Sequence, residues 1–180
     1  MIMGDLATGK STFANLLSQR FNTVLFCKDP IKETLGETFG FSNRAENLKL
    51  SYATADLMYQ IFSEFGKVNQ NLILESNFRI GELEKLHQIA VDHDYQVLTL
   101  VLRGNVEILH KRYLNRMYNE NRSAVHLCSQ FNTIEGFGEY LESLRTATVP
   151  GNSIWIEAND FAYQTDEKLL RKIDEFMDGT

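Results

Sequence analysis

Residues Gly4 to Thr12 read GDLATGKST. Gly4 to Ser11 satisfies G-x-x-x-x-G-K-[S/T], the pattern of a phosphate-binding loop. Each fixed position has a physical task. Gly4 and Gly9 reach backbone angles that a side chain obstructs. The stretch Gly4, Asp5, Leu6, Ala7, Thr8, Gly9 can then turn its N–H groups inward and cradle the phosphates of a nucleotide. Lys10 brings a point charge to the outer phosphates, and Ser11 offers a hydroxyl to Mg²⁺. The helix opening at Ser11 and Thr12 adds the positive end of its dipole.

A bare glycine–lysine turn can match such a pattern by chance, so the flanks decide: a strand before, a helix after. Thr12 to Arg20 carries Phe13, Leu16 and Leu17 on one face, with Asn15, Ser18 and Gln19 opposite. Only Met1, Ile2 and Met3 precede Gly4, fewer than the roughly five or six residues of an ordinary strand. That flank implies either an unusually short first strand or a native chain that starts before Met1, and Met1–Met3 could fray from the sheet.

Outward from the loop, apolar runs alternate with amphipathic helical stretches, the pattern of a parallel sheet covered on both faces. The runs are Met1–Met3, Thr23–Cys27, Asn71–Glu75, Gln96–Leu102 and Ser153–Glu157, without polar alternation, as strands buried on both faces should be. Asp29 can cap a helix with Pro30 in first position, running toward Glu37. Ser42 can cap a longer one bearing Leu48, Tyr52, Ala55, Met58, Phe62 and Phe65, with Gly66 as its stop; this stripe reads as core. Further helices are predicted over Glu82–Val91, Val106–Tyr118, Gly136–Thr146 and Asp166–Met177, and Pro150-Gly151 reads as a turn. No repeat, linker or low-complexity tract interrupts the chain, so residues 1–180 read as one domain.

Bulk properties narrow the classes. Hydrophobic residues make up 43% of 180, ordinary for a globular domain, and no apolar run is long enough to cross a membrane. The chain enters its loop too early for a signal peptide. The two cysteines, Cys27 and Cys128, form no C-x-x-C pair, which argues against a disulfide framework or zinc site and for a reducing, cytoplasmic setting. The net charge of −6 disfavours broad contact with nucleic acid.

Four passages together resemble the small P-loop kinases of the nucleoside-monophosphate-kinase type, nearest to the group with chloramphenicol phosphotransferase, zeta toxins and polynucleotide kinase domains. They are GDLATGKST from Gly4, CKDPIKETLG from Cys27, LILESNF from Leu72, and RYLNR from Arg112 with Arg122 beyond. The resemblance implies a three-layer α/β fold with a five-stranded parallel sheet in the order 2-3-1-4-5. It implies a short arginine-containing lid, about residues 112–130, and transfer of the γ-phosphate of ATP to a hydroxyl.

Candidate roles follow. Asp29, after the second strand, lies where ligands of such sheets collect and could accept or orient the proton of an acceptor hydroxyl; a helix cap is a compatible reading. Lys28 and Lys32 beside it could meet an anionic substrate, but read first as solvated surface lysines. Glu75 ends the third strand, where an acidic residue can serve Mg²⁺ or substrate; the choice stays open, and the usual aspartate is absent. Arg112 and Arg116 share a helix face. By resemblance Arg112 stacks on adenine, while Arg116 and Arg122 reach the phosphates. Lys111 reads as solvated, and His87, His93, His110 and His126 as surface residues. Asn159-Asp160 could border the adenine or be plain loop.

The expectation is an ATP- and Mg²⁺-dependent kinase of an unnamed small-molecule acceptor, with Phe39, Phe41, Tyr52, Tyr59, Phe78 and Arg79 available to build the acceptor pocket. A polynucleotide 5′-hydroxyl kinase and a nucleotide-binding regulatory module without transfer activity are the alternatives.

Overall fold

A computed structural model describes residues 1–120, 123–126 and 131–179. Five parallel strands, β1 (Ile2–Gly4), β2 (Val24–Cys27), β3 (Leu72–Glu75), β4 (Leu98–Arg103) and β5 (Asn152–Glu157), form one sheet in the order β2-β3-β1-β4-β5, as expected. The short first strand is central and does not fray. Ile2 lies opposite Glu75 on one side and Leu100 on the other, and Met3 and Gly4 continue opposite Val101 and Leu102. The Leu100 N–H also donates to the Met1 carbonyl at 2.8 Å. A strand flanked on both sides needs few residues of its own, because its neighbours fix its dihedrals.

The helices are α1 (Lys10–Phe21), α2 (Lys28–Phe39), α3 (Arg44–Lys67), α4 (Ile80–Asp92), α5 (Val106–Asn119), α6 (Ile134–Arg145) and α7 (Glu167–Met177). Alternate residues of the central strands feed opposite faces of the sheet. Ile2, Leu100 and Leu102 pack with Phe13 and Leu17 of α1 and Leu169 and Ile173 of α7. Met3, Leu74 and Val101 pack with Met58 and Phe62 of α3 and Leu83 and Leu86 of α4. A third cluster joins Leu109 and Tyr113 of α5 to Phe137 and Leu141 of α6. This is the three-layer arrangement the alternating pattern implied.

Several boundaries differ from the sequence reading, each for a physical reason. Helix α2 starts one residue before Asp29: Cys27 is its N-cap and Pro30 its third residue. Proline is tolerated there because the first four helical N–H groups lack intrahelical partners. Asn43, not Ser42, caps α3, accepting the Glu46 N–H at 3.0 Å, while Glu46 reaches back to the Ser42 N–H. Gly66 does not stop α3. It lies in the last turn, where a Cβ would come within 2.6 Å of the His93 ring. Of the stripe on α3, Ala55, Met58 and Phe62 are core, Leu48 lines the cleft, Phe65 packs edge-on against Phe26, and Tyr52 points outward. The outer strands are not buried on both faces: Val24 of β2 and Trp155 of β5 are half exposed at the two sheet edges.

Candidate active site

The glycine-rich loop connects β1 to α1, and its conformation suits an anion cradle. Gly4, Ala7 and Gly9 all have positive φ, at 128°, 60° and 85°. A Cβ on Gly4 would lie 2.0 Å from the Leu102 carbonyl oxygen, so glycine is required by space as well as by angle. Helix α1 begins at Lys10 with Gly9 as N-cap, without a side-chain cap and without an acidic residue in its first turn. Uncapped first-turn amides and the helix dipole both favour an anion at that end.

Lys10 lies across the loop, its Nζ donating to the Asp5 carbonyl at 2.5 Å, with the Thr8 hydroxyl on the same oxygen at 2.8 Å. Burial pulls its ammonium below the ordinary 10.5; Glu75, Asp29 and Asp5 pull the other way, and Arg116 adds a little to the lowering. Asp5 takes a supporting part: its N–H donates to the Leu102 carbonyl at 2.8 Å. Its carboxylate is almost wholly buried and accepts Arg145 Nε and Nη2 at 3.2 and 2.6 Å and the Gly104 N–H at 3.1 Å. Arg145 also donates to the Gly104 carbonyl at 2.8 Å. The end of α6 is thereby fastened to the first turn of the loop and to the end of β4.

The parallel register brings the ends of β1, β2 and β3 together, and chemistry collects there. Cys27 and Glu75 are register partners. Ser11 Oγ donates to Glu75 Oε2 at 3.0 Å. Burial raises Glu75 above its ordinary 4.5, with Asp29 adding to the rise; Lys10 and the bonds from Ser11 and Cys27 oppose it. Burial, then the Glu75 and Asp29 charges, push the Cys27 thiol up to about 12, so it is a neutral donor rather than a nucleophile. Ser11 and Glu75 offer adjacent hard oxygens. This donor set suits Mg²⁺, which takes one or two protein oxygens and completes its shell with water and phosphate.

The loop opens into a cleft of about 910 Å³, near the top of the ~300–1,000 Å³ range of ligand sites. Leu6 through Thr12, Asp29, Glu75, Arg112 and Arg116 all line it. On the β4–β5 side, Arg112 donates to the carbonyls of Ala158 and Asn159 at 2.8 and 2.5 Å and lies 4.3 Å over the Phe161 ring. One guanidinium face is thus covered by Phe161, and the two residues together line this side of the cleft. Arg116 shares an exposed 3.4 Å pair with Glu120 on the same helix. Arg122 and part of the expected lid lie outside the described residues.

On the β2–β3 side, Lys28 and Lys32 are not solvated lysines. Lys28 pairs with Glu82 at 2.5 Å, both nearly buried. Lys32 donates to Asn47 Oδ1 at 2.7 Å and to the Val125 carbonyl at 3.4 Å. Of the acceptor-pocket candidates, Arg79 lines the cleft. Phe78 is core, Tyr59 is covered by Lys85, and Phe39 and Tyr52 face outward. The 3-10 turn Ala124–His126 closes over this side. Val125 is buried there with its Cγ1 where a Cβ on Gly36 would stand, and His126 pairs with Glu33 at 2.6 Å. His110 is also buried, bonded to the Phe131 carbonyl at 3.0 Å, so neither histidine is a surface residue. Asn159 Oδ1 accepts the Asn105 N–H at 2.6 Å and ties two loops, which favours a structural role.

Sequence reasoning missed Arg145, Phe161 and Tyr163. Tyr163 donates to the Thr8 carbonyl at 2.7 Å, and a Cβ on Gly9 would meet its hydroxyl at 2.8 Å. These residues lie more than 130 positions from the loop they support, and no local pattern marks them.

No protein-family model and no curated protein sequence matches the chain. Solved structures do. A provisionally named kinase from Chloroflexus aurantiacus J-10-fl superposes with a TM-score of 0.78 at 22% identity, covering 97% of this chain and 95% of its own. A gluconokinase from Sinorhizobium meliloti 1021 gives 0.61 at 11% identity, covering 99% and 95%. A shikimate kinase from Aquifex aeolicus VF5 gives 0.57 at 13% identity, covering 99% and 98%. The chain has the fold of the small P-loop kinases.

Proposed function

We propose that the protein is a phosphotransferase that moves the γ-phosphate of ATP to a hydroxyl of a small molecule. The observation that carries this reading is the convergence in one cleft of the loop lysine, the Ser11–Glu75 oxygen pair and the Asp29 carboxylate, with further polar space beyond Asp29. A motor or switch needs no second pocket; a kinase does. The likeness to solved small-molecule kinases supports the same class.

In this reading the loop amides and Lys10 hold the β- and γ-phosphates. Mg²⁺, held by Ser11 with Glu75 behind it, would neutralise phosphate charge. Asp29 orients the acceptor hydroxyl and takes its proton as the new O–P bond forms. The bond between the γ-phosphorus and its bridging oxygen breaks, and ADP leaves. Arg116 approaches from α5 to stabilise charge on the moving phosphoryl group, a contribution that depends on positioning rather than covalent chemistry. Arg112 and Phe161 wall the nucleotide base. We assign Arg122 to the same phosphate-facing set as Arg116.

Purified protein with Mg-ATP and a panel of hydroxyl compounds should release ADP in an acceptor-dependent way. Lys10→Ala should abolish that release. Undiminished release in the variant would exclude the assignment.

A further inference from the structure

Resting on the kinase reading, we infer that the acceptor is an anionic hydroxyl compound, a polyol bearing a carboxylate or phosphate, whose charge is bound by Arg44 and Arg79 beside Lys32. The two halves of the cleft are built by different elements. The nucleotide half uses the loop on central β1 together with α5 and the segment after β5. The acceptor half is walled by α2, α3 and α4, on the β2–β3 side of the sheet.

That second half is cationic in a chain whose net charge is −6. Lys32, Arg44 and Arg79 line it, with Lys28 offset by Glu82, against the carboxylates of Asp29 and, at its junction with the loop, Glu75. The nearby acidic groups are already committed. Glu82 holds Lys28 and the Arg79 N–H, Glu46 holds the Ser42 N–H, and Glu33 holds His126. Arg44 and Arg79 are exposed to the cleft and make no ion pair with a described residue. Both sit at helix starts, Arg44 as the first residue of α3 and Arg79 as the N-cap of α4, so two helix dipoles add to the same positive potential. Lys32 is fixed rather than swinging, because Asn47 and the Val125 carbonyl anchor its ammonium. Ser51 supplies a neutral polar group suited to a hydroxyl, while Asn47 holds Lys32 and the Val125 carbonyl. An acceptor of uncharged character would leave two guanidinium groups facing it without a partner. A carboxylate or phosphate matches the planar fork of arginine.

The test uses matched pairs on the full chain: glycerate against glycerol, gluconate against glucitol, and glycerol 3-phosphate against glycerol. Binding is measured by calorimetry on protein saturated with Mg-ADP, and transfer by ADP release from Mg-ATP. At least one acid should bind and turn over while its neutral partner does neither; the carboxylate and phosphate arms show which anion is preferred. Arg44→Met and Arg79→Met should each raise the acceptor KM by roughly tenfold or more, the scale of one charge-assisted contact. KM for ATP and the melting temperature should not move. Neutral polyols or a nucleoside used as well as the acids would overturn the inference. So would an unchanged acceptor KM in both variants, or a panel in which no acid binds or turns over. Failure of the kinase reading shows separately, as ADP release indifferent to Lys10→Ala.

Discussion

Replacing Arg145 by methionine should uncover how strongly the phosphate loop depends on a residue 140 positions away from Asp5. The Asp5 carboxylate is 1% exposed and receives two bonds from Arg145 and one from the Gly104 N–H. Arg145→Met leaves the carboxylate buried with the single backbone donor. Removing one partner of a buried pair costs about 3–5 kcal/mol, chiefly as the desolvated charge left behind. The low end applies, about 3 kcal/mol, because Gly104 remains and the guanidinium is one-fifth exposed. The pair of Arg145 with exposed Glu142 adds little. At roughly 2–4 °C per kcal/mol for a domain of this size, the melting temperature should fall by about 6–12 °C. The double variant Asp5→Asn, Arg145→Met removes the stranded charge and should recover most of that loss. Denaturant unfolding of all four proteins measures the coupling directly. A coupling energy below about 1 kcal/mol, or a double variant no better than Arg145→Met, would refute the loop-fastening argument.

Three further outcomes are expected. Gly36→Ala places a Cβ 2.3 Å from Val125 Cγ1, and overpacking of about 1–3 kcal/mol should outweigh the ~1 kcal/mol helix gain. Its melting temperature should therefore fall and its acceptor KM rise; a stabilised variant would show that Val125 is not seated there. Because burial raises Glu75 above 4.5, its protonated form contributes stability that is full below that pH and is lost as pH climbs through the raised value. A bound cation reverses the preference, so Mg-nucleotide affinity should strengthen over the same rise, and Glu75→Gln should flatten both profiles in thermal melts and calorimetry. Asp29→Asn should lower kcat by roughly 10²–10⁴ with little change in KM for ATP, as loss of a proton acceptor does; a kcat within threefold of the parent removes Asp29 from the proton step.

The fold was legible because its information is local and periodic. Apolar runs and helical stripes located each described strand and α-helix, though not the two 3-10 turns, and G-x-x-x-x-G-K-S located the loop. Boundaries slipped where two residues competed for one cap, as Ser42 and Asn43 did, or where a proline tolerates several first-turn positions, as Pro30 does. Edge exposure of Val24 and Trp155 does not show in the apolar runs themselves; it follows only from the strand order, which the resemblance and not the local pattern supplied. The site was legible only as far as its motif extended. Lys10, Ser11, Asp29, Glu75, Arg112 and Arg116 come together at one cleft. The residues that hold them in place, Arg145, Phe161 and Tyr163, act through contacts that carry no spacing. Lys28 and Lys32 were read as solvated because their partners, Glu82 and Asn47, come from other helices.

The loop at residues 4–12 is completed by residues far later in the sequence. β1 is flanked by β3 and β4, and Gly9 and Thr8 rest against Phe161 and Tyr163. Synthesis proceeds at roughly 5–20 residues per second, so the loop emerges many seconds before its last supports. Until residues 158–163 arrive, the Thr8–Gly9 end of the stretch lacks the Phe161 and Tyr163 wall. Nucleotide capture by a nascent chain would therefore report that the whole domain had closed, not that its signature had been translated.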